Sequence, residues 1–254
     1  MEYSLAQRLV AELIGTAILV LFGAGSVVAA LTLGDGELTY AGLGFIAVSF
    51  AIAIAVAIYG FGSVSGAHIN PAVTFSLAVT KRFPWIEVIP YVVAQLIGGA
   101  VGALLIVAAF GTGAADLGGV GGTSLGDGVS YGAGIVAEAI GTFILLFTIM
   151  ALAVDSRAPK GWAGLMIGLA VACAILVIGP LTGGSLNPAR TFGPYLAATL
   201  FGGDTTWAQF PLYWIGPLLG GAIAAVVYDL VAKPRTAEAK VTASPPDRPA
   251  TRKE

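Results

Sequence analysis

The sequence predicts an all-α membrane protein: six transmembrane helices plus two half-helices in an inverted 3+3 repeat. Three observations predict it. The 254 residues are 57% hydrophobic and 10% charged, where a soluble domain carries about 25% charged residues; the mean hydropathy is +0.91. Apolar runs long enough to cross a bilayer lie near 7–31, 40–61, 88–110, 132–154, 162–180 and 208–231. The triplet Asn-Pro-Ala occurs twice, as Asn70-Pro71-Ala72 and Asn187-Pro188-Ala189, in the connections 62–87 and 181–207.

Taken in order, the first run opens with Ala11-Glu12-Leu13-Ile14-Gly15-Thr16 and the fourth with Ala137-Glu138-Ala139-Ile140-Gly141-Thr142. The first run therefore reads as a span of a repeat, not as a cleaved signal peptide. Asn is a preferred N-cap and Pro a preferred first helical residue, so each triplet begins a helix. The first would run from Pro71 to about Thr80, where Lys81-Arg82 stops it. Ten residues at 1.5 Å rise cover about 15 Å, half of a ~30 Å hydrocarbon core. The stretch Gly66-Ala67-His68-Ile69 before one triplet answers Gly183-Gly184-Ser185-Leu186 before the other. Three spans per half is an odd number, so the second half inserts upside down, and two half-helices meet near the midplane with their positive ends together.

Glycines inside the runs (Gly98, Gly99, Gly102, Gly164, Gly168, Gly216, Gly220, Gly221) read as packing residues. The Gly-rich loop 111–131 is expected to cross an outer surface. The channel domain is expected over 1–231, with repeats at about 5–110 and 132–231; the Pro-, Ala- and charge-rich stretch 232–254 reads as a disordered cytoplasmic tail.

Lysine and arginine set the orientation. Arg8, Lys81, Arg82, Arg157, Lys160 and the basic residues from Lys233 onward fall on one side of the six-span arrangement, which the positive-inside rule makes the cytoplasm. The opposite segments carry Asp35, Glu37, Asp116, Asp127 and Asp204 without Lys or Arg. Both termini are then cytoplasmic. Arg190 alone among the basic residues falls in the membrane zone, where an ionisable group is a functional candidate.

Two Asn amides at the midplane, backed by two positive helix ends, would hold the oxygen of a passing water or alcohol and oppose a cation. The carbonyls of Gly66, Ala67, His68, Gly183, Gly184 and Ser185 are candidate acceptors along a single-file path, since non-helical backbone at this depth must be buried or line a watery cavity. His68, the single histidine, reads as a brace for its loop. Glu12 and Glu138, read as the only acidic residues inside spans, suit a proton relay or, better by their symmetric placement, loop bracing through accepted hydrogen bonds. Cys173 is the one cysteine and excludes an internal disulfide or a multi-cysteine metal site. No catalytic residue, metal, cofactor or nucleic-acid partner is expected.

These residues resemble the aquaporin, or major intrinsic protein, family over about 5–231: both triplets, both Ala-Glu-x-Ile-Gly-Thr openings and the Arg after the second triplet. The stretches 155–161 and 187–196 resemble most the archaeal aquaporin M branch. The resemblance implies a homotetramer with one pore per subunit in the cell (plasma) membrane. It also implies a four-residue outer selectivity filter, carried over by spacing: Phe50, twenty residues before Asn70; Ile175, fifteen before Arg190; Gly184, six before Arg190; and Arg190 itself. Water-selective members usually have His where Ile175 stands. Glycerol-conducting members usually have Trp at the Phe50 position, Gly at the Ile175 position and Asp in place of Thr191. The filter thus reads as wider and more apolar than a strict water pore.

The expected function is a passive channel for water, also admitting small uncharged solutes such as glycerol slowly and excluding protons and ions. Two alternatives stand beside it: a facilitator whose main solute is glycerol or another small solute, and, from a different class, an ion-coupled secondary transporter, which would need coupling carboxylates near the site. An enzyme finds no nucleophile–base pair in the sequence.

Overall fold

The computed structural model describes residues 3–232, and every regular element among them is helical. In chain order these are α1 (Leu5–Leu33), α2 (Tyr40–Ser65), α3 (Pro71–Val79), α4 (Trp85–Phe110), α5 (Tyr131–Val154), α6 (Ala163–Thr182), α7 (Pro188–Leu200) and α8 (Leu212–Ala232). All but α3 and α7 are long and apolar enough to cross a membrane. Side-chain oxygens of Ser4, Thr39 and Ser130 cap the starts of α1, α2 and α5. Gly66 and Gly183 end α2 and α6 in the left-handed region, at φ +89° and +77°. The two halves thus break their helices by the same device, just before each triplet.

The bundle packs α5 on α8, α2 on α6 and α1 on α4. All eight glycines that read as packing residues face a neighbour within van der Waals reach. At Gly168 a Cβ would fall on the backbone of Ala51, and at Gly220 on that of Ala139. Hydrogen in place of a methyl lets these backbones touch, which supplies the dispersion contact that holds helices together in lipid. Two stretches depart from α geometry: Leu19–Ala24 within α1 and Met150–Val154 at the end of α5 are π-helical.

Three expectations need correction. Glu12 and Glu138 are not the only acidic residues in the membrane helices, because Glu87 lies in α4 and Asp229 in α8. Both sit near helix ends and pair with arginine: Arg8 Nη1 donates to Glu87 at 2.6 Å and Arg82 Nη2 to Asp229 at 2.6 Å. Glu12 and Glu138 differ in being fully buried. The loop between α4 and α5 does more than cross a surface, since Val120 and Thr123 are buried and its backbone reaches Arg190. Finally, α8 continues through Ala232, one residue into the expected tail; the rest of that tail, 233–254, lies outside the described residues.

Candidate functional site

α3 and α7 start at Pro71 and Pro188, with Asn70 and Asn187 as their N-caps in extended backbone. Asn70 Oδ1 accepts from the N–H of Ala72 at 2.8 Å, and Asn187 Oδ1 from Ala189 at 2.9 Å and Arg190 at 3.3 Å. The oxygens being used this way, each Nδ2 faces the opposite half. Asn70 Nδ2 donates to the Leu186 carbonyl at 2.9 Å, and Asn187 Nδ2 to the Ile69 carbonyl at 2.9 Å. The expectation that these amides serve only the space between the helices is therefore half of the picture: one hydrogen of each ties the two halves together and the other remains. Both Asn side chains line the central cavity.

The loops that carry the triplets are held by carboxylates. Glu12 accepts from Ser65 Oγ (2.7 Å), His68 N (2.9 Å), Ile69 N (2.6 Å) and Gln95 Nε2 (2.8 Å). Glu138 accepts from Thr182 Oγ1 (2.6 Å), Ser185 N (2.9 Å) and Leu186 N (2.7 Å). Ser65 and Thr182, His68 and Ser185, Ile69 and Leu186 are thus paired positions of the repeat. These bonds stabilise a costly backbone: Ile69 and Leu186, both with branched side chains, lie at φ +45° and +57°. His68 braces its loop as well, with Nδ1 3.0 Å from Thr74 Oγ1 and its ring edge-on to Phe83.

With their N–H groups turned to the carboxylates, the loops turn carbonyls the other way. No group among the described residues donates to the carbonyls of Gly66, Ala67, His68, Gly183, Gly184 or Ser185. A cavity of about 210 Å³ runs along Gly66, Ala67, His68 and Ser185, but not along Gly183 or Gly184. Its polar wall is Gly66–Asn70, Ser185–Asn187 and Arg190; its apolar wall includes Phe50, Ile54 and Ile58 of α2, Leu145 and Ile149 of α5, and Ile167 and Val171 of α6. The fourfold spacing of these apolar residues is one helical face each.

Arg190 is 2% exposed. Its Nη1 donates to the Gly121 carbonyl at 2.7 Å, its Cζ lies 5.0 Å from the centre of the Phe50 ring, and its Nε has no partner among the described residues. Phe50 and Arg190 both line the cavity; Ile175 and Gly184 are not among its walls. Ile175 lies one turn beyond Val171 on α6, buried, and Gly184 rests against it: a Cβ on Gly184 would come 3.3 Å from Ile175 Cγ1. Cys173 is exposed on α6. At the end of the bundle that carries the ion pairs, Asp155 follows Val154, a wall residue. Hydrogen bonds from Arg157 hold its carboxyl well below the usual carboxylate range, so it stays ionised at neutral pH.

Sequence reading missed several partners. Ser65, Thr182, Thr74 and Thr191 stand at matching offsets from the two Asn residues, so the repeat contained that signal. Tyr91 and Tyr213, whose hydroxyls donate to the carbonyls of Ser65 and Thr182 at 3.0 and 2.8 Å, are offset unequally. Gly121, one glycine in a glycine-rich loop, carried none.

Known proteins resemble this chain over nearly its whole length. The family model described as "Major intrinsic protein" matches residues 1–228. The chain is 50% identical over 246 residues to the probable aquaporin AqpM of Archaeoglobus fulgidus, covering 92% of this chain and 100% of that one. It is 48% identical over 238 residues to aquaporin AqpM of Methanothermobacter marburgensis, covering 89% and 97%. Its fold is similar to the X-ray structure of the aquaglyceroporin from Plasmodium falciparum, with a TM-score of 0.77 at 25% identity, covering 90% of this chain and 97% of that one.

Proposed function

The chain belongs to the major intrinsic protein family, and within it we propose that this member is chiefly a water pore that passes glycerol slowly and excludes protons and ions. It is a passive channel for water or small solutes and not an enzyme. The observation that supports the finer reading is the row of loop carbonyls that accept from no group among the described residues, those of Gly66, Ala67, His68 and Ser185 belonging to residues that line the cavity opposite its apolar wall. Water moving along such a row donates to carbonyls on one side and is repelled by nothing on the other. At the middle it meets the remaining hydrogens of Asn70 and Asn187. A water accepting there turns its own hydrogens outward, toward the carbonyls of each half, so that neighbouring waters cannot hand a proton through it. The positive starts of α3 and α7 oppose hydronium at the same place. Proteoliposomes should show fast osmotic shrinkage with no matching proton flux on a lumenal pH dye. A proton current comparable with the water flux would defeat this reading.

Phe50, Ile175, Gly184 and Arg190 are proposed as the constriction. In support, Phe50 and Arg190 lie against each other and both line the cavity, and Ile175 and Gly184 adjoin each other one turn past the cavity's last α6 wall residue. An Ile there offers a surface to the carbon skeleton of a polyol while Arg190 donates to its hydroxyls. Ile175→His should therefore lower glycerol flux several-fold while largely keeping water flux. An unchanged glycerol-to-water ratio in vesicles of matched protein content would remove Ile175 from the filter.

We also propose a homotetramer in the plasma membrane with both termini cytoplasmic. Arg8, Lys81, Arg82, Arg157 and Lys160 at one end of the bundle, against Asp35, Glu37, Asp116, Asp127 and Asp204 at the other, support the orientation.

A further inference from the structure

We infer that the π-helical segment of α1, which lies largely behind the lumen wall, sets the aperture of the constriction, with Gly23 as the positioning residue. The inference rests on the reading of Phe50 and Arg190 as that constriction. Three consecutive residues of Leu19–Ala24 each hold one part of it. The Phe22 carbonyl accepts from Ser49 Oγ at 2.8 Å, which pins α2 one residue before Phe50. Gly23 presents bare backbone to the Phe50 ring, and a Cβ there would fall on the ring's edge carbons. Ala24 seats the Gly121 backbone, where a Cβ on Gly121 would meet the Ala24 carbonyl; Gly121 lies at φ +74° and its own carbonyl holds Arg190. A π turn displaces the i→i−4 ladder, and here the Phe22 and Gly23 carbonyls accept from Ser49 Oγ and, at 2.6 Å, Ser26 Oγ. Such turns inside α-helices frequently mark functional sites.

The mechanical consequence is a closed stack: Gly23, the Phe50 ring, the Arg190 guanidinium, Gly121 and back to Ala24. Phe50 is 3% exposed. A methyl group on Gly23 pushes the ring away from α1. Ser49 keeps its backbone from following, so the ring moves toward Arg190, into the lumen. Arg190 cannot retreat, because Gly121 already touches α1. Gly23 therefore contacts no solute yet decides how far Phe50 projects.

The test measures water and glycerol permeability of Gly23→Ala, Phe50→Ala and the double variant in proteoliposomes of matched protein content. Gly23→Ala should cut water flux roughly tenfold, about 1.4 kcal/mol in barrier, and glycerol flux by a larger factor. Phe50→Ala should raise glycerol flux, and the double variant should match Phe50→Ala, since without the ring the added methyl has nothing to push. If Gly23→Ala lowers flux by the same factor in both backgrounds, or leaves the glycerol-to-water ratio of the wild type, it acts through packing alone and the inference fails. If Phe50→Ala itself leaves glycerol flux unchanged, the constriction reading fails, and this inference with it. Should Gly23→Ala not insert, Ser49→Ala carries the test: freeing α2 from Phe22 should raise the ratio, and an unchanged ratio would overturn the proposal.

Discussion

Arg190→Val is expected to raise passage of protons and small cations by about two orders of magnitude while water continues to flow. Arg190 has no carboxylate within ion-pair distance among the described residues; a carbonyl and an aromatic face hold it instead. Its charge is therefore not neutralised by a direct ion pair, and Arg190 lines the cavity, at the proposed constriction. A unit charge acting on a cation ~5 Å away at an effective dielectric of about 20 contributes roughly 3 kcal/mol of repulsion, which is about two decades in rate. Valine removes that barrier and the bulk together, so glycerol flux should rise as well. Current recordings across planar bilayers, alongside stopped-flow water measurements, separate the two effects. A variant that carries water and remains as ion-tight as the wild type would reduce Arg190 to a structural residue and leave all exclusion to the two helix starts.

The second large effect is expected at Glu138. Its carboxylate accepts three hydrogen bonds in a fully buried place. Glutamine offers one acceptor oxygen and turns an N–H₂ toward donors, leaving at least one buried N–H unpaired and a second poorly placed. Each unsatisfied buried group costs about 1–3 kcal/mol, so the total is roughly 2–5 kcal/mol against a stability of about 5–15 kcal/mol. The loop it releases holds Leu186 at positive φ, which then keeps only the Asn70 amide on its carbonyl. Glu138→Gln should melt at a lower temperature in detergent, and its water flux should fall toward that of bare lipid. Glu12→Gln should behave alike through the other half. If either variant keeps full water flux and thermal stability while only pH-dependent transport changes, the carboxylate is a relay and the coupled-transporter alternative returns.

Much of this architecture was legible because it is written locally and twice. An Asn-Pro pair starts a helix wherever it stands, a glycine before it ends one, and a lone glutamate in an apolar run must find partners. The repeat then says which features matter, since Glu12 and Glu138 correspond as Asn70 and Asn187 do. What stayed hidden depends on partners distant in sequence with no pattern of their own. Glu87 and Asp229 went unread as span residues, and each sits near a helix end beside an arginine that no local rule assigns to it. The use of one Asn hydrogen across the midplane requires knowing that the opposing carbonyl faces it. Gly23 and Gly121 look like any of the 36 glycines; only three-dimensional adjacency sets them apart from those that merely let helices approach. The π turn of α1 leaves no mark in composition, because its residues would serve equally well in an α-helix.

The exchange of amide hydrogens between the halves has a consequence for how the chain is made. Asn70 finds its acceptor 116 residues later, at Leu186, and the Ile69 carbonyl finds its donor 118 residues later, at Asn187. When the ribosome has delivered only the first three spans, that amide and that carbonyl lie deep in the bilayer plane without each other's counterpart. The first half must therefore wait, with its re-entrant segment held by Glu12, His68 and Tyr91 of its own half, or withdrawn toward water, until the second half arrives inverted and supplies both missing partners at once. Completion then requires both halves, and the pore does not exist in the first half by itself.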